Sequence, residues 1–179
     1  CHAYRNFWEG VPAMARGLEE SEEILLLQFT GSATIGGHDA AFHSLLADRK
    51  SPRRLKVLML SPLSLHDMAE RQRTSQHSPE QYIERIFQTL EHLRWLREKG
   101  TVQVEARLYE RDPLWYFWIF KSSVVLYSHA LGVGRRSPRV ELREPRGELR
   151  ALFTGLFENA WSEPGNRAVD FDGFDSDML

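Results

Sequence analysis

The sequence predicts an α/β fold: a mixed central sheet flanked by helices. Three observations carry this. Residues 23–30 (EILLLQFT) and 55–60 (LKVLML) are near-continuous apolar runs of the kind found in strands buried on both faces. Each is followed, after a loop, by a segment with helical spacing, and a helical crossover between strands implies parallel pairing. Residues 115–120 and 123–128 are aromatic and β-branched on either side of Lys121-Ser122, the pattern of an antiparallel strand pair.

The elements follow in order. Residues 2–20 read as an opening helical segment, with Phe7, Val11, Met14 and Leu18 spaced by three or four. The first buried strand ends in a small-residue loop, residues 31–37 (GSATIGG), and a helix is expected over residues 38–49 with Phe42, Leu45 and Leu46 inward. Ser61-Pro62 stops the second strand, and a polar loop covers residues 63–78. Ser78-Pro79-Glu80 opens a long helix by N-cap and first-turn proline; Tyr82, Ile86, Phe87, Leu90, Leu93 and Trp95 or Leu96 form its stripe, and Gly100 ends it. Residues 101–109 alternate, Val102, Val104, Ala106 and Leu108 against Gln103, Glu105, Arg107 and Tyr109, so one face is wetter. A short strand over residues 139–142 and an amphipathic helix over 147–161 complete the order. The acidic tail, residues 165–179, is expected to be poorly ordered or to dock as a strap.

Composition bounds the possibilities. At 179 residues, 42% hydrophobic and 27% charged, the chain fits one domain spanning residues 1–179 with a sizeable core. A net charge of −2 supplies no overall basic field. Only Lys50, Lys56, Lys99 and Lys121 among the 23 basic residues are lysines, a bias that a high-GC genome explains more cheaply than phosphate recognition. Cys1 is the one cysteine, which excludes an internal disulfide and a four-cysteine zinc site. No apolar run approaches the roughly 20 residues of a membrane span, and a cytoplasmic location is expected. A chain that begins at Cys1 without Met reads as a domain cut from a longer, multidomain protein.

Candidate chemistry gathers where the strands end. Strand, glycine loop, helix is the arrangement that offers backbone N–H groups to an anion, so Thr30, Gly31, Ser32 and Thr34 are candidate ligand-binding residues. The loop lacks the lysine of a phosphate-binding P-loop and the spacing of a dinucleotide fingerprint; a tight turn explains its glycines equally well. Ser61, His66, Arg71 and Arg73 in the second loop lie at the same sheet edge, where open α/β sheets bind ligands. Tyr109, Trp115 and Lys121 add a stacking face and a charge. His66-Asp67 has no further ligands at telling spacing, and His43, His92 and His129, taken singly, read as packing residues, so neither a metal nor a cofactor is predicted. Ser32 and Ser61 lack the elbow of a serine nucleophile. Arg135, Arg136, Arg139, Arg143 and Arg146 are interleaved with Glu141, Glu144 and Glu148, and this cancelled charge makes nucleic acid an unlikely partner.

The succession of residues 23–30, 55–62 (LKVLMLSP), the long helix, 102–109 (VQVEARLY) and the aromatic pair resembles one lobe of the phospholipase D-like superfamily, in particular the unclassified domains beside bacterial helix-turn-helix regulators and signalling modules. That family's H-x-K-x4-D motif would fall on residues 115–122 (WYFWIFKS), where Trp115, Phe117 and Ser122 replace its three residues. The resemblance therefore implies the scaffold without the covalent phospho-enzyme step, and it implies a two-fold homodimer, which the run Trp115-Tyr116-Phe117-Trp118 would support by exposing aromatics on one face. The expected function is non-catalytic regulation: sensing a small phosphorylated ligand, or mediating assembly, within a larger bacterial protein. The alternatives are a phosphodiesterase or nuclease with a relocated site, and a pure protein–protein module.

Overall fold

The two apolar runs become the middle of a single sheet. The computed structural model describes residues 1–48, 53–64, 66, 68–69, 77–110, 115–128, 138–143 and 147–173. Along the chain these form β1 (His2–Tyr4), α1 (Phe7–Glu20), β2 (Glu23–Gln28), α2 (His43–Ala47), β3 (Arg53–Leu60), α3 (Pro79–Glu98), β4 (Val102–Tyr109), β5 (Tyr116–Ile119), β6 (Ser123–Tyr127), β7 (Arg139–Arg143), α4 (Glu148–Trp161) and β8 (Arg167–Ala168). The strand order is β1-β7-β6-β5-β2-β3-β4-β8. β2, β3 and β4 pair in parallel, and β5, β6, β7 and β1 extend the sheet antiparallel from the β2 side. The mixed α/β class is the one the sequence predicts.

Alternation along β5 fastens the two layers of helices. Trp118 and Phe117 point to opposite faces: the Trp118 ring meets Phe42 at 5.3 Å between centroids, and Phe117 meets Phe153 of α4 at 5.5 Å. Tyr116, Phe117, Trp118 and Ile119 are all buried. The aromatic run is thus the protein's own core, covered on both sides by its own helices, and it supplies no dimer face; Trp115, just before the strand, is the exposed member at 47%.

Several local expectations shift. The opening segment divides into β1, paired with β7, and α1, which starts only at Phe7 because the Asn6 side chain accepts the Glu9 N–H and caps it. The helix expected over residues 38–49 contracts to the five residues of α2, since the glycine-rich stretch spends its amides in turns. α3 has the predicted N-cap at Ser78 and Pro79 in the first turn, and adds a reciprocal bond that the sequence reading did not include: Ser78 and Gln81 exchange side-chain hydrogen bonds as a capping box. The described part of the tail, residues 165–173, docks, β8 pairing antiparallel with β4 and Phe171 packing into the core. Of the late arginines, Arg139 is buried with its guanidinium 3.9 Å from the Tyr127 ring centroid, and Arg143 donates to the buried Glu141 carboxylate at 2.6 Å. Arg135, Arg136 and Arg146 lie outside the described residues.

Candidate functional site

The strand ends that the sequence singles out do converge, and they are tied to one another. Ser61 N–H donates to the Tyr109 carbonyl (2.7 Å), and Leu60 N–H donates to that of Phe29 (3.1 Å). The Tyr109 hydroxyl donates to the Gln28 carbonyl (2.8 Å), and the Gln28 side-chain oxygen accepts from Tyr127 (3.1 Å). The Ser61 hydroxyl accepts the Leu63 N–H at 3.2 Å. Thr30, Ser61, Tyr109 and Trp115 therefore share one edge, and His66 is exposed after β3, where the segment expected to be a polar loop has helical residues at 66, 68 and 69. Lys121 does not join them. β5 runs antiparallel to β2, so Lys121, beyond its far end, sits at the opposite edge, where its N–H donates to Ser21 Oγ (2.8 Å). Arg71 and Arg73, like Asp67, lie outside the described residues.

The glycine loop folds as stacked turns. Thr34 and Ile35 N–H both donate to the Gly31 carbonyl (3.0 and 2.9 Å), and the Thr34 hydroxyl donates there too (2.9 Å). Ala41 N–H reaches Ala33 O and Phe42 N–H reaches Thr34 O, each at 3.1 Å. These amides are committed within the loop instead of facing an anion. Gly31 has φ +71°, a left-handed conformation that suits glycine. At Gly36 the constraint is space: a Cβ would overlap Ser32 Cα and the Thr89 hydroxyl of α3. The loop is thereby pressed onto α3.

That contact brackets an open cleft of about 510 Å³, walled on one side by Ser32, Gly36, Gly37, His38, Asp39 and Ala40 and on the other by Gln88, Glu91, His92 and Trp95 of α3. Two histidines line it, His38 and His92, and a third, His43, lies between them. His38 Nδ1 is 3.4 Å from His43 Nε2, and His43 Nδ1 is 3.2 Å from His92 Nε2, so neutral rings can pass one hydrogen bond along the series. Taking one nitrogen from each, all three lie within 4.8 Å of one another. The indole of Trp95 stacks on His43 and on His92 at 5.4 and 5.2 Å between centroids, with His38 edge-on at 5.3 Å. His38 is exposed, His43 half-buried and His92 buried. Burial, reinforced by the neighbouring charges of His43 and His38, lowers the His92 pKa to about 4, so its imidazole is neutral at pH 7.

Sequence reasoning overlooked this cluster because it weighed the histidines one at a time. His43 and His92 are 49 residues apart, in the β2–β3 and β3–β4 crossovers, and the packing of one crossover against the other brings them together. The one local hint is His92 followed three residues later by Trp95, a pair on one helix face.

No family model and no curated protein matches the chain. Among solved structures, the fold is similar to that of TrmBL2, described as an archaeal chromatin protein that shows a novel mode of DNA binding, at 16% sequence identity and a TM-score of 0.51. The alignment covers 90% of this chain and 52% of TrmBL2, so the chain spans about half the length of that protein. This corrects two expectations. The resemblance to the phospholipase D-like superfamily is not upheld: a solved structure that shares the fold is described as a DNA-binding chromatin protein, and the middle of the stretch compared with the H-x-K-x4-D motif, residues 116–120, is buried and largely aromatic. The dismissal of nucleic acid as a partner also fails, because cancelled charge in one segment says nothing about a fold that occurs in a DNA-binding protein. Among the described residues no helix is long and apolar enough to cross a membrane. At this identity, the likeness establishes a shared fold.

Proposed function

We propose that this chain is a non-catalytic regulatory module of a DNA-associated protein, and that the cleft between the glycine loop and α3 is its effector site. The observation that carries this is the cleft itself: a buried, neutral His92 and a stacked Trp95 forming one wall of an open cavity. Such a mixture of apolar surface with a few convergent polar groups is the usual make-up of a small-ligand site. The fold shared with a DNA-binding chromatin protein supports the setting.

Gly36→Val is the direct test, since its side chain would push against Ser32 and Thr89 and distort the cleft wall. A thermal-shift panel of divalent metals, nucleotides and phosphorylated metabolites is expected to include stabilisers of the native chain that lose their effect in Gly36→Val. Stabilisers that act equally on both chains would place the site elsewhere. Turnover of any panel compound would make the chain an enzyme. Anisotropy of a labelled DNA duplex, measured with and without the stabiliser, reads the regulatory output: a saturable, salt-dependent signal that shifts with the stabiliser supports the DNA setting.

A further inference from the structure

We propose that His38, His43 and His92 form a three-histidine site for a borderline divalent transition metal, Zn²⁺ being the ordinary occupant, with its fourth position open to the cleft. The inference deepens the reading of the cleft as an effector site and rests on it.

The donor set decides the class of metal. Imidazole nitrogen suits zinc, copper, nickel and iron, whereas magnesium and calcium take oxygen ligands. Zn–N bonds of about 2.0–2.1 Å in a tetrahedral site put the ligand nitrogens about 3.3 Å apart. The two neighbouring separations here, 3.4 and 3.2 Å, are of that size. They involve different nitrogens of His43, however, so His43 can present only one of them to a metal, and the exposed His38 must turn to complete the set. The span of 4.8 Å across the three nitrogens measures that closure. The other two rings are better fixed: Trp95 stacks on His43 and His92 and holds both planes nearly parallel to its own, at 23° and 20°. His92, the fourteenth residue of the twenty-residue helix α3 with its capped N-terminus, gives the site a rigid anchor.

Two further features fit a bound cation. Asp39 and Glu91 line the same cleft, and their carboxylates lower the cost of bringing in a divalent charge. The Lys99 ammonium, 4.9 Å from the Trp95 ring centroid, is matched by Asp48 at 3.9 Å. Three protein ligands leave a vacancy for water or an effector group, the pattern of zinc sites that exchange a ligand. The site would also clamp the glycine loop to α3, joining residues 38 and 43 to residue 92 through one ion.

Cobalt substitution tests this. The purified, chelator-treated chain is titrated with Co²⁺ and then Zn²⁺, and the visible absorption of tetrahedral Co²⁺ is followed. The expected result is one Co²⁺ per chain with strong visible bands that Zn²⁺ abolishes. His38→Ala and His92→Gln should each weaken Zn²⁺ at least tenfold in competition with a chromophoric chelator, while His2→Ala leaves it unchanged. His38 is exposed, so His38→Ala folds normally even if the buried His92 variant does not. Absence of the visible bands, or His38→Ala binding Zn²⁺ as tightly as the native chain, overturns the metal site. If the metal fails while other panel compounds still lose their effect in Gly36→Val, the cleft reading stands alone; if both fail, neither does.

Discussion

Two regions of this protein are built from stacked rings, and they use them in opposite ways. In the β5–β6 hairpin, Tyr116 stacks on Tyr127 at 5.1 Å and Trp118 meets Phe42 at 5.3 Å, all of it dry. In the cleft, Trp95 stacks on two imidazoles at similar distances, but one side is open and the rings carry titratable nitrogens. The first arrangement turns ring area into stability by removing it from water. The second holds polar groups in fixed positions where something can reach them. The same contact geometry is thus structural in one place and available for chemistry in the other, and water access makes the difference.

The largest effect should come from the dry region. Trp118→Ala empties a fully buried site, and we expect a loss of about 3–5 kcal/mol in urea unfolding. Trp95→Ala, at the half-buried cleft wall, should cost clearly less; equal losses would break the contrast. Next comes Gly36→Val, where overpacking against Ser32 and Thr89 is expected to cost about 1–3 kcal/mol, read by the same denaturation.

Acid separates the regions by pH. The folded pKa of His92 is lowered from 6.5 to about 4, so between those values the unfolded chain binds a proton that the folded chain does not. Stability is then full above pH 6.5 and declines as pH falls toward 4, by at most about 1.4 kcal/mol per pH unit. Beside the hairpin, burial alone would raise the Glu141 pKa, but hydrogen bonds from Arg143 and Tyr4 outweigh it and hold the carboxyl below 4.5. Its contribution is present above pH 4.5 and is lost only as pH falls further. Unfolding measured across this range with chelator present should show His92→Gln removing the upper limb and Glu141→Gln the lower one. A single limb in the native chain, unmoved by His92→Gln, would mean the cleft does not shield that imidazole.

The smallest effect is expected on α4, where Leu149, Leu152 and Leu156 are exposed at 36%, 57% and 49%. Leu152→Ser should change stability by no more than about 0.5 kcal/mol, because little apolar area is withdrawn from water there. A larger loss by calorimetry would show that this ridge is covered in solution.

The sequence by itself determined the elements whose signal is local and strong. Apolar runs too long to be half-exposed could only be the inner strands β2 and β3, and serine followed by proline started α3 where they stand. The alternation of β4 was legible from Val102 to Ala106, though Tyr109, placed on the wetter face, is buried and Leu108 is half-buried, and the aromatic–turn–β-branched pattern of β5 and β6 was equally legible. Pairing with β1 and β8 was not, since strands of three and two residues carry too few side chains to declare a period. Nor was the division of the candidate site. Thr30, Ser61, Tyr109 and Trp115 share an edge because parallel strands end together, while Lys121 is carried away by the antiparallel turn of β5. The histidine cluster belonged wholly to the tertiary structure. Three residues from a loop, a five-residue helix and a long helix have no spacing that marks them as a set; the crossover that brings the loop against α3, pressed tight at Gly36, is what makes them neighbours.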